Sequence, residues 1–125
     1  MPTILTKSNA MAITIFHNPR CSKSRATLAL LREHGVEPEI RLYLDAPPDA
    51  DELRSILGRL GMSARELLRT GEAEYGERGL ADGSLSEDDL IAAMAAAPRL
   101  IERPIVLAGE RAAIGRPPDS VLQIL

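Results

Sequence analysis

An apolar run of strand length, Ile13-Thr14-Ile15-Phe16, gives way to a helix-forming stretch ending at Gly35, and a second strand pattern follows directly in residues 39–44. That order leaves few choices of fold. Ser22 or Ser24 can cap the helix, Leu28, Ala29 and Leu31 supply its apolar stripe, and glycine is the natural stop for a helix end. In residues 39–44, Ile40, Leu42 and Leu44 alternate with Arg41 and Tyr43, the period-two signature of a half-buried strand. The spacing predicts a βαβ unit with parallel strands and a right-handed crossover.

Asp45-Ala46-Pro47-Pro48 breaks the second strand. A helix opens at Asp49 or Ala50 and runs to about residue 60, with Leu53, Ile56, Leu57 and Leu60 on one face and Gly61 as its stop. Ser63, with Glu66 three positions on, forms a capping-box pattern that predicts a helix over 64–69, with Arg69 at its end. Residues 72–79 read as irregular or as a single turn, and Ser86 opens another helix that reaches Ala96 before Pro98. Extended structure then returns. Ile105-Val106-Leu107-Ala108 is an apolar strand, Gly109-Glu110 a tight turn, and Arg111 to Ile114 the antiparallel return. Asp119 caps a closing helix to Leu125. The whole order describes an α/β fold: a thioredoxin-like mixed sheet, βαβ…ββα, with a helical insertion over about 49–98 before the C-terminal hairpin. Residues 13–125 are expected to form one domain, preceded by an extension or tag remnant over 1–12. Residues 1–10 are polar, with a lone Lys7 and no apolar core, so a secretory signal is not expected there.

Composition removes several function classes. The net charge of −3 argues against general nucleic-acid binding, which shows a basic domain. No apolar stretch has the length to span a bilayer. A single cysteine excludes an internal disulfide framework and points to a reducing, cytoplasmic setting. One cysteine and two histidines at unrelated positions make no ligand cluster, so neither a metal nor a bound cofactor is expected. Nothing in the apolar pattern demands a partner copy, and a monomer is the expectation.

That cysteine, Cys21, stands where the first strand passes into the first helix, in His17-Asn18-Pro19-Arg20-Cys21-Ser22-Lys23-Ser24-Arg25. A helix N-terminus with neighbouring cations lowers a thiol pKa from near 8.5 into the range of roughly 3.5–7.5. The alternative, a buried inert thiol, suits apolar flanks. These flanks are cationic and polar, and Cys21 is read as a reactive thiolate.

Basic charge is carried almost wholly by arginine, Lys7 and Lys23 being the only lysines. Three arginines outside the cysteine loop stand at positions able to converge on it: Arg69, Arg103 before Pro104, and Arg116 in Gly115-Arg116-Pro117-Pro118. Arginine stays charged when partly buried, and its planar fork pairs with oxyanions. An anion approaching a thiolate needs such charge. Pro104 opens the hairpin's first strand, where proline is tolerated, and in a thioredoxin-like fold it is expected to be cis and to face the cysteine.

With these residues assembled, the chain resembles the ArsC family, arsenate reductases that couple to glutathione and glutaredoxin. The resemblance runs from Ile13 to Leu125, most clearly in the segment from His17 to Arg25, Leu42-Tyr43-Leu44 with Pro47-Pro48, Leu67-Leu68-Arg69, and Arg103-Pro104-Ile105 with Gly115-Arg116-Pro117. It implies that Cys21 is the nucleophile attacking arsenic and that Arg69, Arg103 and Arg116 bind the oxyanion. It implies a tuning role for His17 and places Asn18, Ser24 and Arg25 around the anion or the thiol. Arsenate, or another small oxyanion, would be the substrate, glutathione the co-substrate and glutaredoxin the protein partner. The match is to a short form, ending soon after the last helix, and short members include glutathione-dependent thiol reductases without arsenate activity. A third class sharing the fold, Spx-like regulators that bind RNA polymerase, commonly carries a Cys-x-x-Cys switch. Here Ser24 occupies the second position.

Overall fold

The structure is a computed structural model and describes residues 12–125; the extension expected over residues 1–12 lies, but for Ala12, outside the described residues. The described residues form two compact units, one of residues 12–42 together with Arg103–Leu125, the other of Tyr43–Glu102.

The first unit holds the sheet. Strand β1 (Ile13–Phe16) leads to helix α1 (Ser22–Glu33) and strand β2 (Glu39–Arg41); β3 (Ile105–Ala108) and β4 (Arg111–Ile114) form the hairpin. The strand order is β2-β1-β3-β4, with β1 and β2 parallel and both remaining pairs antiparallel. This is the mixed, thioredoxin-like sheet that the sequence pattern predicts. Its register aligns Ile13 with Ala108 and Ile15 with Val106, so these four side chains share a face. Leu28 and Leu31 of α1 and Val121 complete the core on that face. Ile15, Leu31, Val106 and Val121 are fully buried, each contributing about 1.5–3 kcal/mol from apolar surface removed from water.

In the second unit, α2 (Ala50–Leu60), α3 (Ala64–Leu67), α4 (Ala73–Glu77) and α5 (Glu87–Ala96) follow in order. Helix α5 packs against α2 and α3, burying Leu53, Ile56, Leu57, Leu67, Leu90, Ile91 and Met94. The caps form as the sequence indicates. Asp49 accepts from the Glu52 amide, Gly61 ends α2 in the left-handed conformation, and Ser63–Glu66 and Ser86–Asp89 close reciprocal capping boxes.

Four details differ from the sequence expectations. Helix α1 is capped by Cys21 rather than by a serine, because the Ser24 hydroxyl turns to His17 and the Asn18 amide. Strand β2 stops at Arg41, and its alternation is reversed: Ile40, Leu42 and Leu44 are each about two-fifths exposed, while Tyr43 is buried. Period two identifies alternating faces but does not say which one is covered, and Arg41 lies over the Phe16 ring, 5.2 Å from its centroid. Helix α3 ends at Leu67, so Arg69 lies beyond it, after a bridge between Leu68 and Ile101. The closing segment, Pro118–Ile124, is a 3₁₀ helix opening on a proline rather than an α-helix capped by Asp119. Among the described residues no helix is long and apolar enough to cross a membrane.

Candidate active site

Sheet register assembles the site. Phe16 pairs with Ile105, and Ile105 with Ile114, so these residues form a row at one end of the sheet. The chain leaving that row carries Cys21 after β1, Arg103–Pro104 before β3, and Gly115–Arg116 after β4. Residues distant in sequence thereby meet. Arg116 Nη2 lies 3.8 Å from Cys21 Sγ, and its Nε donates to the Arg103 carbonyl at 2.7 Å.

The loop between β1 and α1 is fixed by its own polar groups. The Cys21 amide donates to the Asn18 carbonyl at 3.0 Å, closing a turn through Pro19 and Arg20, and Asn18 Oδ1 accepts from the Arg20 amide at 3.0 Å. Arg25 Nη1 donates to the Pro19 carbonyl at 2.9 Å, so this arginine braces the loop. The result sets Cys21 at the N-cap of α1, where backbone N–H groups lack helical acceptors.

The Cys21 thiol is buried, and burial is the strongest single influence on it, pushing its pKa up. The opposing groups prevail together. Hydrogen bonds from the Ser24 amide, the Arg103 side chain and the Lys23 amide, with the Arg103 charge, hold the thiol below its ordinary value. Sequence reasoning identified the arginine and the helix end; the two amides require the backbone trace.

His17 is buried, with Nδ1 at 2.6 Å from Ser24 Oγ, and that oxygen accepts from the Asn18 amide at 3.0 Å. The fully buried Ser24 hydroxyl therefore joins the imidazole to the backbone of the loop. Burial, and next the charges of Arg32 and Arg25, lower the His17 pKa. These influences favour the neutral imidazole.

Pro104 and Pro117 both follow cis peptide bonds, after Arg103 and Arg116 respectively. Gly115 packs so closely that a side-chain carbon there would overlap Thr27 Oγ1 and come within 2.9 Å of Pro104 Cγ. The Gly115 amide donates to the Pro104 carbonyl at 2.9 Å. Thr27 does not stand out in the sequence, and Gly115 does so only as part of Gly115-Arg116-Pro117, since close approach itself leaves no motif.

Arg69 belongs to the second unit. There Nη1 donates to Glu102 Oε1 at 2.6 Å and Nε to Glu72 Oε2 at 3.3 Å. Of the residues singled out by sequence, the first unit brings together Cys21, Arg103, Arg116, His17, Asn18, Ser24, Arg25 and Pro104. Arg69 carries its own carboxylate partners, Glu72 and Glu102, which sequence reasoning did not identify.

Comparison with known proteins follows this geometry. The ArsC family model matches residues 16–124. YfgD of Escherichia coli K12, an uncharacterized protein, is 60% identical over 114 residues, covering 90% of this chain and 96% of that one. An arsenate reductase of Neisseria meningitidis serogroup A is 51% identical over 114 residues, covering 90% and 97%. The solved structure of an arsenate reductase from Vibrio cholerae superposes with a TM-score of 0.90 at 49% identity, covering 94% of this chain and all of that one. The matching family model and these relatives, the latter each covering nine-tenths or more of the chain, show that the chain belongs to the ArsC family.

Proposed function

We propose that the protein is an arsenate reductase in which Cys21 is the nucleophile, with glutathione and glutaredoxin as thiol donors. The observation that carries this reading is the Cys21 thiol, held below its ordinary pKa by amides and Arg103 with the Arg116 guanidinium 3.8 Å from the sulfur. Such a group is both nucleophilic and able to receive an anion. Relatives named arsenate reductase, 47% and 51% identical, support the substrate.

In the reaction, the Cys21 thiolate attacks arsenic, an As–S bond forms, and an As–O bond breaks with its oxygen leaving as water after protonation. Arsenic remains As(V) in this adduct. Arg103 and Arg116 offset the negative oxygens that would otherwise repel the thiolate. Two external thiols, one from glutathione and one from glutaredoxin, end as a mixed disulfide. Their two electrons take arsenic to As(III), and water then cleaves the bond between arsenic and Cys21 Sγ, which releases arsenite and returns the thiol. Both thiols must come from outside, because the chain has only Cys21. The chemistry belongs to a compartment where glutathione keeps thiols reduced.

The test is arsenate-dependent NADPH consumption coupled through glutathione, glutathione reductase and glutaredoxin. Turnover by the wild type and none by Cys21→Ser is the expected result. A folded wild type that exchanges glutathione mixed disulfides but leaves arsenate unreduced overturns the substrate assignment and makes the protein a thiol reductase.

A further inference from the structure

Among the described residues the sheet ends in two edge strands, β2 and β4. One hydrogen bond fixes how the backbone of β2 is turned. The His17 amide donates to the Arg41 carbonyl at 2.9 Å, so Arg41 directs its backbone groups toward β1. Backbone groups alternate sides along a strand, and the N–H and C=O of Ile40 therefore point outward, off the edge of the sheet.

The side chains along this edge are patterned. Ile40 is the register partner of Ile15, yet Ile15 is fully buried and Ile40 is 39% exposed. The apolar layer between α1 and the sheet is thus cut off at β2. Glu39 and Arg41 flank Ile40 on the opposite face. Thr14 Oγ1 donates to Glu39 Oε1 at 3.4 Å, and the Arg41 guanidinium lies 5.2 Å from the Phe16 centroid, so both charges are seated against β1.

Charges and prolines commonly shield sheet edges. Pro38 does so here in part, because it has no N–H to offer at the next outward position. The charges do not repel a copy of themselves. When two copies of β2 run antiparallel with Ile40 opposite Ile40, the order Glu39-Ile40-Arg41 sets Glu39 opposite the partner's Arg41, and Arg41 opposite the partner's Glu39. Parallel pairing in register would set like charge against like. Strand β4, Arg111-Ala112-Ala113-Ile114, carries a cation without a matching acid.

We infer that β2 is a docking edge for a second copy of this chain. The two Ile40 residues exchange a pair of backbone hydrogen bonds and extend the apolar layer across the junction. Two Glu39–Arg41 pairs close the opposite face. The contact is small, so the dimer is weak and forms at high protein concentration.

Sedimentation equilibrium tests this pairing. The average mass of the wild type is expected to rise from that of one chain toward that of two between about 10 μM and about 1 mM. Glu39→Arg opposes arginine with arginine twice and should raise the dissociation constant about tenfold or more. Ile40→Lys should do the same by opposing two ammonium groups. Arg41→Glu alone should also dissociate, whereas an equal mixture of Glu39→Arg and Arg41→Glu should associate, since every charge then meets its opposite. Circular dichroism melting establishes that each variant is folded; if Arg41→Glu is not, Glu39→Arg and Ile40→Lys carry the test. A wild type that keeps the mass of one chain throughout overturns the pairing. Association that Glu39→Arg and Ile40→Lys leave unchanged overturns it too, and places the contact on another surface. Folded charge-reversed variants that stay apart when mixed overturn the antiparallel register.

Discussion

Arg116 is tied to Arg103 through the backbone: its Nε donates to the Arg103 carbonyl at 2.7 Å, which leaves the other end of the guanidinium beside Cys21 Sγ, Nη2 standing 3.8 Å away. One arginine thus orients its planar fork on the carbonyl of the other. The Arg103 side chain in turn hydrogen-bonds the thiol. The two cations differ in task, one acting on the sulfur through both charge and hydrogen bond, the other held in place beside it.

Replacing Arg103 by alanine removes both its hydrogen bond and its charge, two of the influences that lower the Cys21 pKa. The rate of Cys21 alkylation against pH should then inflect at a higher pH than in wild type. Arsenate kcat/KM is expected to drop at least tenfold, about 1.4 kcal/mol of transition-state stabilisation. Arg103→Lys should recover part of the pH shift but less of the kcat/KM, because an ammonium supplies charge without the fork. An unchanged kcat/KM in Arg103→Ala would remove this residue from the site.

The same thiol links pH to stability. Its folded pKa lies below the unfolded value of about 8.5, so between the two the unfolded chain binds the extra proton. Stability from this group is complete above the unfolded pKa and is lost as pH falls through the folded one. The urea midpoint of wild type relative to Cys21→Ala should therefore decline on acidification through that window. A difference independent of pH would mean that the thiol ionises alike in both states.

His17 is expected to titrate below about 6.5 in a proton NMR experiment, since burial and the Arg32 and Arg25 charges oppose its cationic form. Protonation favours the unfolded chain. Stability from the neutral imidazole is present above the unfolded pKa and disappears as pH drops through the folded one. Ser24→Ala takes a hydroxyl from between His17 Nδ1 and the Asn18 amide, and should cost about 1–3 kcal/mol in urea unfolding. A loss well under that range would show that the loop finds other partners.

Much of this arrangement was legible in the residues, and the illegible parts share a cause. Strands β1, β3 and β4 and helices α2 and α5 were marked by apolar spacing and by capping residues that act within a few positions. Cys21 was marked by a helix start among cationic neighbours, while the groups that lower its pKa are two amides of that helix start and the distant Arg103. The reversed exposure of Ile40, Leu42 and Leu44 depends on which strand face is covered, a tertiary matter. The Arg69 partners depend on a clamp between segments more than thirty residues apart, Glu102 lying 33 positions from Arg69. Serine at a helix start usually caps it, which makes Ser22 and Ser24 the cap candidates, but Cys21 takes that position and the Ser24 hydroxyl bonds His17 and the Asn18 amide.

Gly115→Ala tests the tightest junction in the first unit. The added methyl would press on Thr27 and Pro104, and overpacking of this kind costs about 1–3 kcal/mol. In the double variant Gly115→Ala with Thr27→Ala, the pair should be less destabilised than the sum of the single changes, because one obstruction is gone. Additive losses would place the strain elsewhere.

The nucleophile and Arg116 stand 95 positions apart in the chain, and this separation has a consequence for synthesis. A growing polypeptide that has released Cys21 from the ribosome, but not yet the hairpin, holds the cysteine without either arginine. Its sulfur then lacks the hydrogen bond and charge of Arg103, two of the influences that lower its pKa in the folded protein. Full reactivity is acquired only when the last strands close the sheet. In this fold, chemical danger and structural completion arrive at the same moment, and the thiol serves as its own certificate of maturity.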